Sequence, residues 1–216
     1  MKKELEKFKG LTLVEVMVSI SIFTICIAGF SLLFIKSMKS NSYILEMGQT
    51  SMAISNGMTD LVEYIRKAKQ GDNGNYAIVS ASDNSLTIYA DYDSDAITER
   101  LHFYLEDQQV KMGVTDPSGD VIKTYPSGDQ EVFVKADHIL NTSEDKLFSY
   151  YNRDYPADTV NNPIDMAIND ISNIRMVEIF LKMNIDPNRA PDNVQMRSFV
   201  ELRNLNDYDR KKSQKK

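Results

Sequence analysis

Between Leu11 and Ile35 the chain is apolar almost without a break, with Glu15 its one formal charge and no proline in the run. At about 1.5 Å rise per residue, a helix of that length crosses a hydrocarbon layer of roughly 30 Å. The pattern then changes without an obvious stop. From Met47 onward, Met47, Ser51, Ile54, Met58, Leu61, Ile65 and Ala68 step alternately by four and three, and only Ser51 among them is polar. That spacing puts them on one helical face, with Asp60, Glu63, Lys67 and Lys69 mostly elsewhere. Gly48 and Gly57 each cost about 1 kcal/mol of helix propensity, leaving room for a local bend. "QGDNGN" at 70–75 brings glycine and asparagine turn chemistry that ends the pattern. The expectation is one long N-terminal helix, membrane-type over 11–35 and amphipathic over 36–70.

Past that loop the period falls to two. "YAIVS" (76–80), "SLTIYA" (85–90), "ITERLHFYL" (97–105), "QVKMGVT" (109–115) and "EVFVKA" (131–136) read as strands separated by short polar loops. In the third, Ile97, Glu99, Leu101, Phe103 and Leu105 share one face, apolar apart from Glu99. Short connections favour an antiparallel meander. Residues 141–163 read as an irregular, aromatic-rich insert. Two strong strands follow, "NIRMVEIFLKMNI" and "QMRSFVELRNL", joined by "DPNRAPDN". The predicted fold class is α+β, a long helix laid on an antiparallel β-sheet, with the β-rich globular domain at 71–205.

Charge sharpens this picture. The chain carries a net −6, and residues 1–10, with four lysines and two glutamates, contribute +2. Removing them leaves −8, an acidic body that argues against broad binding to nucleic-acid backbones. The basic ending "RKKSQKK" within 206–216 reads as a solvated, disordered tail, with contact to acidic lipid, cell wall or a partner as the alternative. Cys26 is the only cysteine. No intrachain disulfide can form, so the soluble part relies on its core. Thr24 and Ile25 before it are too bulky for a lipoprotein signal, and Cys26 reads as a small apolar residue of the run.

The N-terminal segment carries the mechanism. A secretory signal peptide fits the charged start, but the apolar core is too long and no A-x-A site closes it. A plain membrane anchor explains the length and leaves Glu15 unexplained, because an intramembrane acid implies a partner. A cut after Gly10 would make Leu11 a charged amino terminus four residues from Glu15. The two could then meet on one helix or between staggered parallel chains. An unpaired charge in apolar surroundings is costly, so assembly would be favoured when the pair is completed.

"KGLTLVEVMVSISIF" resembles the prepilin N-terminus of type IV pilins and type II secretion pseudopilins, where G-F-T-L-x-E follows a short basic leader. Gly10, Thr12, Leu13 and Glu15 match, and Leu11 stands where phenylalanine is commonest. The resemblance implies that residues 1–10 are a leader and that a prepilin peptidase cleaves between Gly10 and Leu11 and N-methylates Leu11. It also implies that Glu15, with Thr12 and Leu13 beside it, guides assembly by meeting a neighbour's Leu11 amine. The implied partners are the peptidase, other pilins or pseudopilins along the helix, an inner-membrane assembly platform and membrane lipid. The ending "VEIFLKMNIDPNRAPDNVQMRSFVELRN" resembles the last strands of J-type or W-type minor pilins, which sit at filament tips.

Other constellations are weaker. Asp91, Asp93 and Asp95 alternate in "DYDSDAITE", and oxygen ligands spaced by two can hold calcium, with Glu99 as a further ligand. Ala96 stands where a calcium loop carries glycine, and His102 where it carries glutamate. A solvated hairpin turn is the alternative, and no other cofactor is expected. His102 and His138 show no metal or nucleophile spacing, and no Gly-rich phosphate loop, Ser elbow or HExxH is present. The expectation is a non-enzymatic minor pilin or pseudopilin, bitopic in the inner membrane with its C-terminal domain outside the cytoplasm, that later enters a filament. The competing reading is a membrane-anchored binding domain that never assembles.

Overall fold

The computed structural model describes residues 10–120, 122–165, 171–185 and 193–205. One helix, α1, runs from Leu13 to Arg66. Eight strands follow: β1 (Ile78–Ala81), β2 (Ser85–Ala90), β3 (Glu99–Glu106), β4 (Gln109–Thr115), β5 (Glu131–Ala136), β6 (Phe148–Tyr151), β7 (Met176–Met183) and β8 (Val194–Glu201). The α+β class and antiparallel pairing are as the periodicity predicts.

The meander is too, as the first five strands pair in chain order, but a second sheet stands beside it. The strands form two antiparallel sheets, five-stranded in the order β1-β2-β3-β4-β5 and three-stranded in the order β6-β7-β8. The second sheet includes β6, which lies inside the segment read as an irregular insert and pairs Phe148 with Ile179 and Tyr150 with Val177. Its "FSYY" is too short to show a period, and its aromatic content suited a loop as well as a strand. The Tyr150 hydroxyl, buried beside β6, donates to the Ser82 carbonyl at 2.7 Å, and Phe148 N donates to the Asp83 carbonyl at 2.9 Å. These bonds tie the second sheet to the β1–β2 hairpin.

The chain divides into two units, Met1–Leu45 and Glu46–Lys216. In the second, Ile54, Leu61 and Ile65 of α1 are fully buried in one core with Leu86, Ile88, Leu101, Phe103, Met112, Val177, Ile179 and Leu181. The buried helical face differs slightly from the expected stripe. Thr50 and Gly57 lie on it, whereas Met47 is exposed. Gly57 is not a bend: a Cβ there would come within 2.8 Å of the Ala136 Cβ and 2.9 Å of the Lys135 carbonyl. Its missing side chain lets α1 meet the backbone of β5. Lys135 bonds back across this seam to Asp60 at 3.4 Å and to the Tyr64 hydroxyl at 3.3 Å.

On β3 the alternation holds, with Glu99, Leu101 and Phe103 buried and Arg100, His102 and Tyr104 only partly covered. The helix ends at Arg66, a few residues ahead of the 70–75 turn. The expected leader at 1–10, apart from Gly10, and the expected basic tail at 206–216 lie outside the described residues.

Candidate functional site

Helix α1 starts where its first turn can be capped. The Thr12 backbone N–H and hydroxyl both donate to Glu15 Oε2, at 2.9 and 3.0 Å, and Glu15 N–H donates back to Thr12 Oγ1 at 3.3 Å. This is a reciprocal capping box, with Thr12 as N-cap and Glu15 three residues on. The T-x-x-E spacing of Thr12 and Glu15 carries that signal in the sequence. It also corrects one route considered for the charge pair. Because the helix begins at Leu13, Leu11 lies outside it and is no i,i+4 neighbour of Glu15 on a shared helical face. The inter-chain route is unaffected.

From Gly10 to Leu45 every residue is exposed, including Leu13 at 75% and Phe30 at 69%. A helix apolar all round is covered by lipid or by other helices, since water disfavours every face of it. Two of its hydroxyls are satisfied locally, as an apolar medium favours. The Ser21 hydroxyl donates to the Met17 carbonyl at 2.9 Å and the Thr24 hydroxyl to the Ile20 carbonyl at 2.8 Å. By length and composition this is the one helix among the described residues able to cross a membrane.

The acidic loop is built differently from the expected ligand set. Carboxylate oxygens of Asp91, Asp93 and Glu99 lie within 4.8 Å of one another. Asp95 is not in that group, and its Oδ1 accepts from Ile97 N–H at 2.7 Å. The gathered acids also have partners within the protein. Asp91 accepts from Ser94 N–H at 2.7 Å and Ala96 N–H at 3.2 Å, and Lys69 Nζ lies 3.6 Å from it. Asp93 accepts from Asp95 N–H at 3.3 Å and Glu99 from Tyr92 N–H at 3.1 Å. Ser94 and Ala96 hold left-handed φ of 69° and 74°, so the tight turn forms without the glycine such backbone favours. Burial holds the Glu99 carboxyl well above the usual range, up to about 7. Three carboxylates at this spacing suit a hard divalent cation, while four loop amides and Lys69 already engage some of their oxygens.

The histidines are placed apart. His138 lies in a turn with φ of 57°, while His102 sits between Ser85 and Asp129. Linear spacing joins none of these three residues.

With this geometry described, comparison with known proteins adds one match. The prokaryotic N-terminal methylation motif matches residues 6–33. A long N-terminal helix with antiparallel sheets behind such a motif is consistent with a pilin-like fold. The motif supports assignment of the chain to the type IV pilin and pseudopilin family and to processing by prepilin peptidase. No curated protein and no solved structure matches the chain.

Proposed function

We propose that the chain is a minor pilin or pseudopilin, a structural subunit cut between Gly10 and Leu11, N-methylated at Leu11 and built into a filament through α1. The observation that carries this reading is a coincidence of position. The methylation motif covers residues 6–33, and over 13–33 of that stretch α1 is apolar and exposed on all sides. Lipid covers that surface while the subunit waits as a single-pass inner-membrane protein with its C-terminal domain outside the cytoplasm. Neighbouring pilin helices cover it after the assembly platform extracts the subunit. Glu15 then exchanges its contacts with Thr12 for the Leu11 amine of an adjacent subunit, and that exchange sets the axial offset. The resemblance of the last strands to minor pilins supports a position at the filament tip.

Mass analysis of the mature protein tests the processing step. The expected product starts at N-methylated Leu11, and a product starting at Met1 or beyond Ala28 overturns it. Glu15→Ala tests assembly. The variant should reach the membrane in normal amount and fail to enter filaments, whereas normal incorporation favours an anchored domain that does not assemble.

A further inference from the structure

The outer face of the five-stranded sheet carries three side chains in a hydrogen-bonded line. Ser85 Oγ lies 3.0 Å from His102 Nε2, and His102 Nδ1 lies 3.1 Å from Asp129 Oδ2. The direction of this line follows from chemistry. An ionised carboxylate only accepts, so Asp129 selects the imidazole tautomer with its proton on Nδ1. Nε2 is then the acceptor, and the Ser85 hydroxyl points its proton at it. A nucleophile, a base and a group orienting the base thus stand in order.

The sheet is shaped for this line. Register places Thr87 and Gly113 directly across from His102 on the two neighbouring strands. A Cβ on Gly113 would coincide with the Asp129 carboxylate. Glycine at that one place in β4 therefore opens the slot through which Asp129 reaches His102. Tyr104 stacks on the imidazole with ring centroids 4.6 Å apart and holds its plane. The same cross-strand row runs Ser85, Tyr104, Lys111, so a phenol shares the face with the hydroxyl, while the Lys111 ammonium is held by Glu106 at 2.9 Å. The His102 side chain is one-third exposed and that of Asp129 less so, at 17%. An acyl group can reach the hydroxyl from solvent while the orienting acid stays covered.

We propose that Ser85 is an acyl-accepting nucleophile, activated by His102 and positioned through Asp129, for esters of carboxylic acids. Ser85 Oγ bonds to the carbonyl carbon while His102 Nε2 takes the hydroxyl proton. The bond from that carbon to the leaving alkoxide breaks, and His102 returns the proton to the departing oxygen. The products are an acyl-serine and an alcohol, with no oxidant or reductant involved. This assignment is independent of filament assembly and survives its failure.

The test is covalent labelling of the full chain in detergent micelles with a fluorophosphonate, followed by peptide mapping, and with p-nitrophenyl acetate in parallel. One label per chain at Ser85 is expected, about 10²-fold to 10⁴-fold faster than at other serines, the range a positioned base supplies. Ser85→Ala should abolish labelling and His102→Gln should remove the rate advantage. Asp129→Asn and Gly113→Ala should slow labelling at least about tenfold, for loss of orientation alone. Unchanged thermal midpoints in Ser85→Ala and His102→Gln exclude misfolding as the cause. Labelling spread over many serines, no labelling of the folded wild type, or undiminished labelling in His102→Gln overturns the proposal.

Discussion

Thr12 engages Glu15 in two ways at once, through its amide and through its hydroxyl. In one chain its hydroxyl and amide occupy Glu15, so the carboxylate has partners before any neighbour arrives. Thr12→Val removes the hydroxyl bonds, and losing an N-cap costs about 1 kcal/mol. Amide exchange at Glu15 and Val16, whose N–H groups bond to Thr12, should therefore quicken about fivefold in micelles, and an unchanged rate would show that the cap does not hold the first turn. Glu99 offers a second residue-scale test. Its folded pKa lies above its unfolded value, so between about 4.5 and about 7 the folded state holds the extra proton. The stabilisation is full below that window and is lost as pH rises through it, on the order of 1–2 kcal/mol after allowing for solvent. The thermal midpoint should fall across this range in wild type and stay flatter in Glu99→Gln. Because the loop amides and Lys69 already engage Asp91 and Asp93, millimolar calcium should leave the curve unchanged. A calcium-dependent rise above pH 7 would reverse that reading and assign the loop to a cation.

At the scale of elements, Gly57 decides how α1 meets the sheet. Alanine normally improves an exposed helix by about 1 kcal/mol over glycine. Here its methyl group meets the Ala136 Cβ and the Lys135 carbonyl, and the backbone of β5 cannot rotate away. Gly57→Ala is expected to destabilise by about 1–3 kcal/mol in chemical denaturation, the cost of overpacking; Gly48→Ala, with nothing within 4 Å, should be neutral or stabilising. The period-four-and-three stripe marked the buried face of α1, but it could not distinguish a glycine that bends from one that lets two backbones touch. Strand limits were legible for the same reason: β2, β4 and β5 occupy the stretches their alternation marked. The second sheet was not, because β6 offers four residues and its partner lies beyond a long loop. The line from Ser85 to Asp129 was equally invisible. It depends on strand register and on a slot in β4, neither of which appears as a spacing in the chain.

For the whole molecule, the N-terminal signal was the most legible part because its chemistry is local. Gly10, Leu11, Thr12 and Glu15 fall within six residues, and the apolar run behind them needs no tertiary contact to be recognised. What surrounds that run depends on other molecules: on the proposed reading, lipid at first and then other subunits. A Lys substitution at Val18, well inside the run and 52% exposed, should block membrane insertion or filament entry, since a cation near the helix centre costs roughly 2.5–3.5 kcal/mol. Fractionation of the variant checks this, and recovery in filaments at wild-type levels would contradict a buried, apolar setting for that face.

The seam between Gly57 and β5 has a mechanical side. A subunit held by its helix and pulled by its surface carries load through the stretch of α1 where Ile54, Leu61 and Ile65 are wholly enclosed. Force along the helix axis slides these side chains past the sheet together, rather than peeling them one at a time. Backbone contact at Gly57 shortens the lever over which they could yield. Stretched along α1, the wild-type domain should rupture in one high-force event, and Gly57→Ala at lower force, with the helix leaving first and the sheets opening afterwards.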